Sequence, residues 1–384
     1  MGSPSPPVES ESDYIIRKFV WHSSDVAHVE AKIFELCKGD FGIPKHHHSA
    51  PVKSSNGSIP ISNAIFLPSP GEPLEDYHWD ITGKSGPPPL PDYRELWVHE
   101  TNSNADGLSR ARTPLELCMT VGHAMLGWLS MMHKGFLHRD VGMPGVFHLF
   151  DPIRMVPFVP GDFGQVLGQP EAWKGDQLLQ DQVERLQKAV AGLGITDICH
   201  GVIQPSDMTV DMKDYYTSGG KAHRPDYYDY MSSGLLRAVR LSEPYLHSPV
   251  DDLESFYYTM QWAGVNNDGS DSGRHETDHL DALRAKLSDS ADNRFQATLF
   301  VHRIRPENQE DIQRFGKFLA KLAPVFKEWY PSILALTKSW RTVKPGVDGA
   351  DDVSRYYIRH GLVFAYRGVA DYLKIVHKHR ESLG

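Results

Sequence analysis

Two short strings stand out for the chemistry their side chains can do. His138-Arg139-Asp140 follows a long apolar run, and Asp162-Phe163-Gly164 begins 22 residues after Asp140. Each tripeptide is common alone. In this order, with a loop and two short strand-like runs between them, they form an ordered pair of carboxylate-bearing motifs. Phosphoryl transfer calls for such a pair: one carboxylate orients and deprotonates an attacking hydroxyl, and another holds the Mg²⁺ that neutralises phosphate oxygens. Asp140 suits the first task and Asp162 the second. A third acidic string, Asp251-Asp252-Leu253-Glu254-Ser255, opens an apolar helix carrying Phe256, Tyr257, Met260 and Trp262.

The elements that must hold these strings follow from pattern. Before His138, Thr113, Pro114 and Glu116 form a helix start in which hydroxyl and carboxylate satisfy orphaned backbone N–H groups. Leu117, Val121, Ala124, Met125, Trp128 and Met132 then recur at helical spacing, so a helix buried on one side is expected up to Gly135. Gly145 to Phe150 and Met155 to Val159 read as short strands around a turn at Asp151 and Pro152. Further upstream, Asp13 to Val20 reads as a strand, Val26 to Lys38 as a helix stopping at Gly39, and Arg94 to Glu100 as a strand. Residues 40 to 93 read as a long irregular excursion holding one strand, Ala64 to Leu67. Its His46, His47 and His48 lack a spaced Cys or carboxylate partner and read as solvated loop residues rather than a metal site. Asp176 to Val190 is a polar helix, and the chain from Asp251 onward is mostly helical. Strands early and helices late make the class α+β.

Composition narrows the partners. The 384 residues carry 40 Lys and Arg against 49 Asp and Glu, a net charge of −9, which gives no electrostatic reason to expect nucleic acid or an anionic membrane. No window is long and apolar enough for a bilayer span. Residues 1–12 are small, Pro-rich and acidic, and read as a flexible leader rather than a secretory signal. Cys37, Cys118 and Cys199 are too few and scattered for a disulfide framework, so a cytoplasmic or nuclear compartment is expected.

Taken together, Trp21 after the first strand, a Glu-containing helix ending in Gly42-Ile43-Pro44, then Thr-Pro-Leu-Glu-Leu, His-Arg-Asp and Asp-Asp-Leu-Glu-Ser with its tyrosine pair, the sequence resembles the fungal-type protein kinase family. The resemblance runs from about Tyr14 to Trp262, with gaps at 45–93 and 165–222. It implies a kinase-like two-lobed fold: an abridged small lobe with a hinge over 13–112, a large helical lobe over 113–384, and an inserted activation segment over 162–234. ATP and Mg²⁺ are the implied cofactors, and a protein Ser/Thr hydroxyl or a protein partner the implied target. His138, Arg139 and Asp140 become the catalytic loop, Asp162 the metal ligand, and Asp252 the buried carboxylate that fixes the catalytic loop. Lys18 becomes the phosphate-binding lysine, with Glu30 its helix partner; a one-residue slip would put Arg17 in its place, and Glu35 is an alternative to Glu30. The backbone at Glu100 and Thr101 would be the hinge that meets adenine.

Three departures accompany the resemblance. The family's second Mg²⁺ ligand, an Asn five residues after the catalytic Asp, is here Gly145. No Gly-rich phosphate loop precedes Lys18, and the Glu that ends the activation segment aligns with Gly234. Two readings of function follow, a divergent protein kinase and a pseudokinase that binds nucleotide or scaffolds without turnover. A small-molecule phosphotransferase is a third, against which Arg139 and the long activation segment count.

Overall fold

The computed structural model describes residues 15–23, 29–43, 45–55, 57, 59–63, 94–102, 105–133, 136–138, 141–142, 147–149, 165–166, 177–195, 228–241, 247–267, 277–289, 291–343 and 350–384. The expected strands at Ala64 to Leu67 and Met155 to Val159 lie outside them. The chain divides into two compact units, residues 1–35 with 45–104, and residues 36–44 with 105–384. The class is α+β, a small antiparallel sheet beside a mainly helical remainder.

In the first unit, β1 (Ile15–Ser23), β2 (Lys45–Pro51) and β3 (Arg94–Asn102) form an antiparallel sheet in the order β1-β3-β2, with helix α1 (Val29–Leu36) between β1 and β2 in the chain. Directly opposed residues share a face. Lys18, His99 and Ser49 therefore form one row across the sheet, with Thr101 and His46 in the next pair on the same face. Helix α1 covers that face: Phe34 stacks on His46 at 4.9 Å and tilts against His99 at 5.9 Å. Arg17, Glu100 and His48 form a row on the opposite face.

Two expectations are corrected here. His46 to His48 are in strand β2, with a bulge between His46 and His48, not in a loop. Pairing with β3 and the Phe34 stack supply what histidine's weak strand preference does not. Trp21 lies inside β1 rather than after it.

The second unit opens with two short ribbons. Strand β4 (Ala105–Gly107) pairs with β6 (Phe147–Leu149), and β5 (Phe136–Leu137) pairs with β7 (Gln165–Val166). Its helices are α2 (Pro114–His133), α3 (Gln177–Gly192), α4 (Ser233–Leu241), α5 (Pro249–Val265), α6 (Thr277–Asp289), α7 (Ala291–Val301), α8 (Gln309–Arg341) and α9 (Ala350–Leu383). Glu116 N–H donates to the Thr113 hydroxyl at 3.1 Å, while the Glu116 carboxylate accepts from Arg112 N–H rather than from the Thr113 backbone.

Helix α2 is buried on every side from Thr120 to His133, not on one side as its pattern suggested. It packs against α5, α8 and α9, and its polar residues are satisfied by distant segments: the Ser130 hydroxyl donates to Asp40, and His133 bonds Tyr366. The turn after α1 crosses α2 backbone to backbone. Gly42 has φ +77°, and a Cβ there would sit 2.6 Å from the His123 carbonyl oxygen. Met125, Met131 and Met132 are all buried in the core. Helix α8 is kinked at Gly316, whose φ of 76° lies outside helical space. Among the described residues no helix is long and apolar enough to cross a membrane.

Candidate functional site

The ribbon of β5 and β7 pairs Phe136 with Val166 and Leu137 with Gln165. Leu137 immediately precedes His138, and Gln165 immediately follows Gly164. The ladder thus ties together the two ends of the stretch that carries both candidate carboxylates. Arg139, Asp140, Gly145, Asp162, Phe163 and Gly164 themselves lie outside the described residues.

His138 is fully buried, and its charge is among those that act on the Asp252 carboxyl. Asp252 sits in the first turn of α5 with no exposed surface. The Trp128 indole N–H donates to its Oδ2 at 2.9 Å, and His247 Nε2 meets its Oδ1 at 2.8 Å. Burial alone would raise the Asp252 pKa, but His247 first, then His138 and the indole N–H, outweigh it and hold the carboxyl below its usual range. The structure therefore brings Asp252 to Trp128 from positions 124 residues apart in the sequence.

The neighbouring carboxylates of the same turn engage another part of the chain. Asp251 Oδ2 accepts from the Ser248 backbone N–H and hydroxyl, both at 2.7 Å, which fixes the start of α5. Its Oδ1 accepts from the Ser232 hydroxyl at 2.5 Å, and Ser232 in turn accepts from Leu235 N–H at 3.1 Å, near the start of α4. Glu254 Oε1 accepts from Ser233 N–H at 3.0 Å and the Ser233 hydroxyl at 2.6 Å. Burial pushes the Glu254 carboxyl up; the Ser233 donors work against this, Asp251 adds to it and Arg294 opposes it, and the net shift is upward. Arg294 lies over the Tyr258 ring at 3.9 Å and donates to the Asp229 carbonyl oxygen.

One turn of helix thus holds two regions with three carboxylates. Asp252 binds His247 and Trp128 of α2, while Asp251 and Glu254 clamp the chain at Ser232 and Ser233. Gly234 lies in the first turn of α4, and the carboxylates that meet this segment are those of Asp251 and Glu254. The sequence reading gave a role to Asp252 and missed Trp128, His247, Ser232, Ser233, Glu254 and Arg294. The adjoining Glu254 in the acidic string was the available signal; the serines carried none.

In the first unit, Lys18 is half-buried and lies on the face that α1 covers, in the row of His99 and Ser49. Arg17 lies on the other face, 61% exposed, with its Nε donating to Glu100 Oε1 at 2.7 Å. The one-residue slip between them is therefore a choice between sheet faces, and only Lys18 is on the helix side. Glu30 lies in α1, its side chain outside the described set, and Glu35 is exposed at the far end of that helix. The Ser49 hydroxyl links His99 Nδ1 and His46 Nε2, each at 2.7 Å. Its single proton serves only one of the two imidazoles, so the other ring donates to it.

Glu100 and Thr101 do not form a hinge. Both lie in the central strand β3, where Glu100 faces Arg17 and His48, and Thr101 faces Ile16 and His46. Their backbone groups are committed to sheet pairing and are not open to a purine. The chain passes from the first unit to the second after Asn104. Among the described residues no group of three or more His, Cys, Asp or Glu is arranged to hold a metal ion. No family model matches the chain, and a search of curated proteins found no match.

Proposed function

We propose that this chain is a divergent member of the fungal-type protein kinase family, with a kinase-like two-lobed fold and an abridged N-terminal lobe, that transfers a phosphoryl group from ATP to a protein Ser/Thr hydroxyl. The observation that carries the reading is the β5–β7 ladder, which joins the flanks of His138-Arg139-Asp140 and Asp162-Phe163-Gly164. Burial of His138 supports it, because it fixes the start of the same stretch inside the second unit. Lys18 on the helix side of β1 agrees with a phosphate-binding role for it.

In this reading Asp140 orients the attacking hydroxyl and accepts its proton, and Arg139 and His138 hold the loop that carries it. Asp162 is the ligand for Mg²⁺, which supplies charge neutralisation on the phosphates; Gly145 offers no second ligand. A pseudokinase is the second reading, favoured by Gly145 and by the absence of a Gly-rich loop before Lys18. It would keep the hub around Asp252 for scaffolding.

Thermal-shift titration with ATP, with and without Mg²⁺, followed by transfer of labelled γ-phosphate to a mixed protein substrate, tests the proposal. A Mg²⁺-dependent stabilisation lost in Asp162→Asn, and transfer lost in Asp140→Asn, are expected. Gly145→Asn separates the two readings, since restoring a side-chain oxygen raises turnover only in a weakened enzyme. No response to nucleotide in the wild type would sink both the kinase and the nucleotide-binding forms of the reading.

A further inference from the structure

Among the described residues, β1 has a strand neighbour on one side only, because the sheet order is β1-β3-β2. Its alternate residues away from α1 are strongly exposed: Ile15 at 51%, Phe19 at 60% and Trp21 at 44%, with Arg17 among them. Long, apolar edge strands are templates for further pairing, and monomers blunt them with proline, bulges or outward lysine. β1 has no proline, keeps an unbroken register with β3 over all nine residues, and turns its one lysine, Lys18, to the α1 face.

We infer that β1 is a self-association edge, pairing antiparallel with β1 of a second copy about a two-fold axis through Phe19. The strand's own sequence argues for this occupant. Nine residues centred on Phe19 pair over their whole length, so Phe19 faces Phe19 of the second copy, Arg17 faces Trp21, and Ile15 faces Ser23. Each Arg17 guanidinium meets an indole and the two phenyl rings meet each other, contacts that stabilise cross-strand pairs. On the α1 face Lys18 meets Val20, so Lys18 is not opposed by a like charge. Sliding two residues one way shortens the ladder and sets Lys18 against Lys18. Sliding two the other way shortens the ladder and sets Lys18 against His22. An axis perpendicular to the sheet leaves both α1 helices on the same side of a six-stranded sheet built from two three-stranded ones. A single strand pair buries less than the roughly 1,200 Å² of standard complexes, so the dimer is concentration-dependent. This inference goes beyond the phosphoryl-transfer reading and does not rest on it.

Sedimentation velocity on the full chain over a wide concentration series tests it, with no nucleotide present. A monomer–dimer equilibrium is expected, weakened about tenfold or more by Phe19→Lys, which faces two ammonium groups across the axis. Circular dichroism of that variant verifies folding, and Phe19 is exposed enough to tolerate the change. Register is read separately by mild oxidation. Phe19→Cys should give a covalent dimer above the wild-type background, while Ile15→Cys should not, because the two positions 15 lie eight residues out of register, roughly 26 Å apart. A monomer throughout the series overturns the inference. So does a dimer indifferent to Phe19→Lys, or one that Ile15→Cys cross-links as well as Phe19→Cys.

Discussion

The two units handle buried polar groups in different ways. In the second, ionisable carboxylates are taken fully inside: Asp251, Asp252 and Glu254 share one helical turn, and hydrogen bonds arrive from α2, from the chain before α5 and from the start of α4. In the first, the interior polar chain is built of a hydroxyl and imidazoles, Ser49 between His46 and His99, and the ion pair of Arg17 with Glu100 stays at the surface. A thick helical core excludes water and makes each buried charge depend on its partners. A single sheet under one short helix has neither the depth nor the need. Removing one polar group should therefore cost much in the second unit and little in the first.

The sharpest break is expected at Asp252. Asp252→Ala strands the Trp128 indole N–H and His247 in the interior, and losses of this kind cost about 3–5 kcal/mol. Chemical denaturation followed by tryptophan fluorescence measures it, with Trp128→Phe as the companion. That variant keeps an aromatic ring but removes one donor to a charged acceptor, worth about 1.5–3 kcal/mol, and adds the cost of the cavity left by the smaller ring. Near-equal wild-type and Asp252→Ala midpoints would mean the hub carries no stability.

Glu254 sharpens the comparison through pH. Its carboxyl is raised in the folded chain, so the folded state holds its proton more tightly than the unfolded state does. The stability it contributes is complete below the ordinary carboxylate pKa and is lost as pH rises through the folded value. Asp252 is shifted the other way; its contribution is present above the ordinary value and lost as pH falls. Glu254→Gln should remove the decline on the rising side and leave the acid limb intact. Melting temperatures of both proteins measured across the acid-to-neutral range check this, and parallel curves would refute it.

The same contrast explains what the sequence could disclose. Strands β1 and β3, helices α1, α3 and α5 and the start of α2 were legible because periodicity and capping are local. The burial of α2 on all sides was not, since Ser130 and His133 look like a polar face until Asp40 and Tyr366 reach them from far along the chain. Strand β2 was hidden by three histidines whose place is set by Phe34 and by pairing with β3. The hinge was misplaced because nothing local says that β3 runs on to Asn102 with a neighbour on either side. Of the candidate site, Asp252 was legible as a buried anchor only through resemblance, and its partners Trp128 and His247 are assembled by tertiary packing alone.

In the first unit the expected effects are small and differ in kind. Ser49→Ala removes the hydroxyl that joins His46 to His99, and the buried ring loses one bond, at a cost of about 1 kcal/mol. Arg17→Ala removes an ion pair whose arginine is 61% exposed. Water and salt already screen that pair, so the cost is under about 0.5 kcal/mol and vanishes in high salt. The two variants share one strand ladder and differ only in which face they touch, Ser49 beneath α1 and Arg17 on the open side. Denaturation of both at low and high ionic strength separates a buried hydrogen bond, which salt leaves unchanged, from a surface charge pair. If Arg17→Ala proves the costlier of the two, the open face is covered in solution, and the difference in depth between the units is smaller than their side chains imply.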